Sequence, residues 1–204
     1  MTVNRDKGHR RTQAERSRAT RAALVSSARE LFAERGFTGA AREEIVERAG
    51  VTRGAMYHHF ESKEDLFRSV VIEMEEEVTH RVAAAGLRGV DPMDQLRKGC
   101  QAFLEEALDP AVQRILLIDA PSVLGWQAWR AIEAQYGLGL LREALAGLAD
   151  AGLIEPQPIE PLAHMLLAAL MEAALLVAGA AKPRRARAEV GATVDRLLAR
   201  LAVR

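Results

Sequence analysis

Leu66, Val70, Met74, Val78 and Val82 recur at every fourth position. Apolar side chains three to four residues apart fall on one face of an α-helix, whereas a half-buried strand needs strict alternation. The spacing predicts a long helix over 63–85. The same period recurs around Leu24, Ala28, Leu31 and Phe32, in a helix stopped by Gly36. It returns at Leu96, Cys100, Phe103, Leu104 and Leu108. It also predicts helices over 112–118, 126–149 (interrupted near Gly137 and Gly139), 161–180 and 184–201. With two short elements between 42 and 60, the chain reads as all-α, with about nine helices. The sequence carries 37 alanines and 25 leucines against nine aromatics, which favours helix over sheet.

Proline and charge divide the chain. No proline precedes Pro92. Asp91-Pro92 and Asp109-Pro110 each join an N-cap acceptor to a proline at the first helical position, where its missing N–H costs nothing. Pro121 is expected to break the run ending at Ile118. Pro156, Pro158 and Pro161 mark a loop, and Pro183 separates the last two helices. The 28 basic and 28 acidic residues cancel, which alone argues against a nucleic-acid partner. Split along the chain, the balance is uneven. Residues 1–29 hold eight basic and two acidic side chains, residues 69–181 seven and 16, and residues 182–204 seven and two. A basic N-terminal arm, 1–17, therefore leads into the first helix; it reads equally as a solvated tail or as a DNA contact.

Residues 36–67 read GFTGAAREEIVERAGVTRGAMYHHFESKEDLF. Ile45 and Val46 give a short helix an apolar face. Ala49-Gly50-Val51 is a tight turn, with glycine supplying the left-handed residue. Thr52 caps a second short helix. Two short helices joined by a tight glycine turn form a helix-turn-helix. Gly54 and Ala55 keep the leading end of the second helix narrow enough for the roughly 12 Å major groove of DNA. Arg53, Tyr57 and His58 project polar groups from it. Ser62 and Asp65 open the next helix as a variant capping box. Lys63 sits in that helix's first turn, where the dipole prefers an acid, so a phosphate is its expected partner.

This segment resembles the DNA-binding domain of the TetR (tetracycline-repressor-like) family of bacterial regulators, over roughly residues 18–67. Gly36, Phe37, Ile45, Ala49, Gly50, Val51, Thr52, Gly54, Tyr57, His58, His59, Phe60 and Lys63 match the family pattern. Ala40 and Ala41 replace its threonine pair and Val46 replaces an alanine, removing an N-cap and a phosphate contact. The resemblance implies a helix-turn-helix domain over 18–62 and a ligand-binding and dimerisation domain over 63–204. It implies that Thr52 touches a phosphate, that Arg53 and Gly54, with Ala55, approach base edges, and that Tyr57, His58, Lys63 and Arg42 hold the backbone. Phe32 and Phe60 become core. The implied partners are a double-stranded DNA operator, a second copy of the chain and a small apolar effector.

The stretch 161–181 has one charge, Glu172, and eight alanines. Its length makes it a marginal membrane span, but Glu172 and His164 inside it favour a bundle helix. Paired with 184–201 it would build a four-helix dimer bundle over 161–201, setting two recognition helices ~34–36 Å apart. For the effector cavity the expected lining is Val78, Cys100, Phe103, Leu117, Trp129, Tyr136 and Met171. Trp129, Ile132 and Tyr136 also read as a plain core stripe. Asp119, an acid in an apolar run, reads as a cavity residue or as a cap before Pro121. His58 and His59 are adjacent and point about 100° apart, so they cannot clasp one metal. His80 and His164 read as ordinary surface or core residues. One cysteine excludes a disulfide framework and a multi-cysteine metal site. No secretory leader is apparent, which predicts a cytoplasmic protein off the membrane. No nucleophile–base set, phosphate loop or metal spacing points to an enzyme or a cofactor. The reading is a homodimeric repressor released from DNA by a ligand. The alternatives are a ligand-independent or activating regulator and, further off, a small-molecule carrier or enzyme.

Overall fold

The computed structural model describes residues 12–203. They form ten α-helices and one π-helical segment, all-α as expected, with a single isolated bridge between Ile154 and Ala202 among the described residues. Most of the basic arm, residues 1–11, lies outside the described residues.

Helix α1 (Gln13–Gly39) begins within the stretch expected to be arm. The reason is a capping box: Thr12 Oγ1 accepts from the Glu15 N–H and a Glu15 carboxylate oxygen accepts from the Thr12 N–H. Gly36 (φ +71°) breaks the helix, and one further turn follows it. Helices α2 (Arg42–Arg48) and α3 (Arg53–His59) flank a turn at Gly50, φ +64°. The N-terminus of α2 has no side-chain cap, the consequence of Ala41 where a hydroxyl would serve. Helix α4 (Lys63–Gly86) leaves the helix-turn-helix and runs through the body. Arg29 clamps it to α1 through both Glu77 oxygens at 2.9 Å, and Arg21 reaches Ser69 at 3.0 Å. Two of the N-terminal basic residues are thus occupied within the chain.

One buried apolar cluster is continuous across the expected boundary at residue 62. It joins Leu31, Phe32, Met56 and Phe67 to Val78, Ile115 and Ile132. Its lower end is an aromatic trio, with Phe32–Phe67 and Phe37–Phe67 ring centroids each 5.1 Å apart in edge-on geometry. A second cluster joins α5 (Pro92–Glu106), α8 (Gly137–Asp150), α9 (Ile159–Ala178) and α10 (Pro183–Ala199).

One expectation is corrected. Pro121 does not stop the chain's coiling: the π-helical segment Val112–Asp119 passes directly into α6 (Ala120–Leu124). Pro121 lies in the first turn of α6, where it need not donate, and the break comes instead at Gly125, φ +76°. The stretch 126–149 is interrupted next to Gly137, as expected: it forms α7 (Trp126–Gln135) and α8, jointed at Tyr136 (φ −106°, ψ −91°). Helix α9 is the one described helix long and apolar enough to cross a membrane by composition, with mean hydropathy 1.8.

Candidate functional site

Two regions carry functional character, and a polar link joins α1 to the π-helical segment that borders the second. The first is the exposed face of α3. Thr52 Oγ1 accepts the Ala55 N–H at 3.2 Å and fixes the helix start. Met56 and Phe60 are buried beneath, so Arg53, Tyr57 and His58 face outward. Arg53 stands 3.7 Å from Glu43 and over the Tyr57 ring, 5.9 Å from its centroid. Arg42, at the start of α2, donates to the Tyr57 hydroxyl at 3.3 Å. Arg53 first and Arg42 second draw the Tyr57 phenol below its usual pKa. A Cβ at Gly54 would meet only Thr52 Oγ1, at 4.0 Å, so no internal packing demands a glycine there. His58 and His59 lie edge to face, 5.3 Å apart. Lys63 rests over the Phe37 ring at 4.3 Å, a cation–π contact that occupies it in the free protein.

The second region is a cavity of about 470 Å³ bounded by α4, α5, α7, α8, α9 and the π-helical segment. Five expected residues line it: Val78, Cys100, Phe103, Leu117 and Met171. Trp129 and Tyr136 do not. Trp129 is buried in the first apolar cluster beside Trp126, 5.2 Å away, and Tyr136 packs against that same cluster at the α7–α8 joint. The core-stripe alternative describes them. Burial in the cavity wall pushes the Cys100 thiol up to about 12.

The lining also includes two buried acids that the sequence reading passed over, Glu75 and Glu133, only 8% and 4% exposed. Their carboxyls lie close enough to perturb each other's ionisation. Burial pushes Glu75 well above the ordinary carboxyl range, and the Glu133 charge pushes the same way. Burial raises Glu133 too, while the Glu75 carboxyl and the Arg130 charge pull back. A signal was available: Glu133 follows Trp129 by four residues and so shares its buried face. Glu75 hid at the head of an acidic run that reads as a solvated face.

The link is Asp119. It neither lines the cavity nor caps α6. Its Oδ2 accepts the Phe37 N–H at 2.7 Å and the Arg114 Nε–H at 3.2 Å. The Arg114 guanidinium lies against Gly36, where an added Cβ would collide with it. His164 bonds Arg130 at 2.6 Å and Glu160 at 3.2 Å on the outer surface.

Comparison with known proteins agrees with this geometry. Residues 24–70 match the family "Bacterial regulatory proteins, tetR family", and residues 93–201 match "Tetracyclin repressor-like, C-terminal domain". The HTH-type transcriptional regulator TtgR of Pseudomonas putida is 37% identical over 108 residues, 52% of this chain and 51% of that protein. The HTH-type transcriptional repressor BepR of Brucella suis is 48% identical over 62 residues, 30% of this chain and 29% of that protein. The chain thus spans about half or less of these curated relatives. A crystal structure of a TetR-family transcriptional regulator from Pectobacterium atrosepticum superposes with TM-score 0.82 at 32% identity, covering 95% of this chain and 99% of that one. With its helix-turn-helix, its helical body and nearly full-length similarity to that structure, the chain belongs to the TetR family of bacterial regulatory proteins.

Proposed function

We propose that the protein is a homodimeric transcription regulator of the cytoplasm that binds a near-palindromic DNA operator as a repressor and is released by a small, largely apolar effector. It is a binding protein rather than a catalyst. The observation that carries this is the pairing, along one continuous helix, of an exposed recognition face on α3 with a largely apolar cavity. Helix α4 starts at Lys63 beside that face and reaches the cavity with Glu75, Val78 and Val82.

In this reading Arg53 reads a base edge, with Gly54 and Ala55 allowing close approach. Thr52, Arg42, Tyr57, His58 and Lys63 hold phosphates and set the register. For Arg53 and Lys63 that requires leaving Glu43 and Phe37, weak surface contacts that phosphate or base bonding can replace. The dimer forms through α9 and α10, where Met165, Leu176 and Leu197 are 72%, 56% and 55% exposed in the isolated chain. An effector shifts the population only if it prefers the DNA-incompetent state. A ligand in the cavity would act through α4 and through the Asp119–Phe37 link.

The test is selection of bound fragments from genomic DNA, followed by titration of the selected operator and of random DNA. Arg53→Ala is expected to lose ~1–3 kcal/mol of discrimination at one base pair. An equal loss on both DNAs would remove Arg53 from base reading, and absence of any selected site would remove the regulator reading.

A further inference from the structure

The cavity's charge is one-sided. Among the described residues its lining holds three carboxyls, Glu75, Glu133 and Glu143, and no lysine, arginine or histidine. Glu143 is exposed at the rim; Glu75 and Glu133 are buried. The rest of the wall is mainly aliphatic, with Val78, Leu116, Leu140, Leu167 and Leu170 among it. Arg130, one turn before Glu133, acts on Glu133 with its charge from outside the lining, while its contacts are made elsewhere. It stacks over Trp126 and Trp129 at 5.5 and 5.9 Å and donates to His164 Nδ1 at 2.6 Å.

Two carboxyls removed from water in contact with each other are costly unless they share a proton or meet a cation. Two hydrophobic side chains of similar volume would close α4 onto α7 at no such cost. The chain instead carries the cost where an empty apolar space adjoins it. A ligand with a positive nitrogen would supply a counter-charge from within the cavity, where the lining has none, in a medium where the pairing is strong. A neutral or anionic ligand would leave the pair uncompensated or oppose it.

We infer that the cavity takes a lipophilic cation, an apolar skeleton carrying one ammonium-type nitrogen seated between Glu75 and Glu133. This deepens the effector reading above and rests on it. Glu75 belongs to α4, so a cation seated there engages the helix that begins beside the recognition face. The rival role for the pair is a plain structural tie between α4 and α7.

Calorimetric titration of the full chain at neutral pH with decylamine, decan-1-ol and decanoate separates these. The skeleton is constant and only the charge changes. Decylamine is expected to bind at least about tenfold more tightly than decan-1-ol, with decanoate weakest. In the Glu75→Gln/Glu133→Gln protein, decylamine binding is expected to fall about tenfold or more while decan-1-ol stays within about twofold. Retained decan-1-ol binding reports that the variant is folded; Glu133→Gln alone serves if the double variant is not. Equal binding of amine and alcohol, or tightest binding of decanoate, overturns the lipophilic-cation assignment and leaves the cavity as an effector site. Failure of all three ligands to bind overturns the assignment and the effector reading together.

Discussion

Asp119 Oδ2 accepts the Phe37 N–H at 2.7 Å across 82 residues of chain. Phe37 follows the Gly36 break in α1, and Asp119 closes the π-helical segment against the body. The break leaves the Phe37 N–H without a helical acceptor, and the carboxylate takes its place. Asp119→Ala would orphan a part-buried N–H and is expected to cost about 1–3 kcal/mol. Hydrogen exchange at the Phe37 amide should quicken accordingly. Unchanged exchange would show that the bond does not hold the joint.

Gly36 has two independent reasons to be glycine. Its φ of +71° with ψ +173° is a backbone region essentially reserved for glycine and costs other residues about 1–3 kcal/mol, and Arg114 fills the space a Cβ would need. Gly36→Ala should therefore destabilise the protein in urea unfolding. Gly36→Ala/Arg114→Ala should regain the steric share and keep the conformational share. Full recovery in the double variant would mean that the backbone angle is not strained.

Lys63 rests on the Phe37 ring and is held below its ordinary pKa, chiefly by partial burial. Lys63→Ala is expected to weaken binding to operator and random DNA alike. The slope of log affinity against log salt should fall by about one. An unaltered slope would show that Lys63 stays on Phe37 in the complex.

The pH dependence of stability carries a signature of Glu75. Its carboxyl holds its proton more tightly folded than unfolded. Its contribution is therefore full at low pH and is lost as pH rises through the raised folded value, above the ordinary glutamate range of about 4.3. Glu75→Gln should match the parent's melting temperature in acid and exceed it increasingly towards alkaline pH. Each kcal/mol of relief is worth roughly 2–4 °C in a chain of this size. A gap that does not change with pH would mean that Glu75 is not the titrating group.

Leu176 and Leu197 are exposed apolar side chains on the two helices assigned to the dimer bundle. Leu176→Asp should turn the dimer into a monomer in sedimentation at micromolar concentration, with helix content retained by circular dichroism. A dimer unaffected by it would place the interface elsewhere.

What could be read from the residues in order is what a few consecutive residues decide. The every-fourth-residue stripe of α4, the left-handed Gly50, and the Thr52 and Ser62 caps are settled within one or two turns, by hydrogen bonds such as Thr52 to Ala55 and Ser62 to Asp65. That local grammar placed the helix-turn-helix and α3's exposed face, while the expected cavity lining came from the family resemblance. It misplaced Pro121, because a proline is read as a stop until a helix start is seen to form around it. The resemblance put Trp129 and Tyr136 in the cavity, whereas their periodicity read as the core stripe they form; periodicity shows that a face is buried but not what it is buried against. The partners of Asp119, and the meeting of Glu75 with Glu133 in a wall without cations, depend on which distant helix faces come together. A carboxylate in a sequence looks like solvent-facing charge; only folding takes these two out of water and sets them beside an empty apolar space.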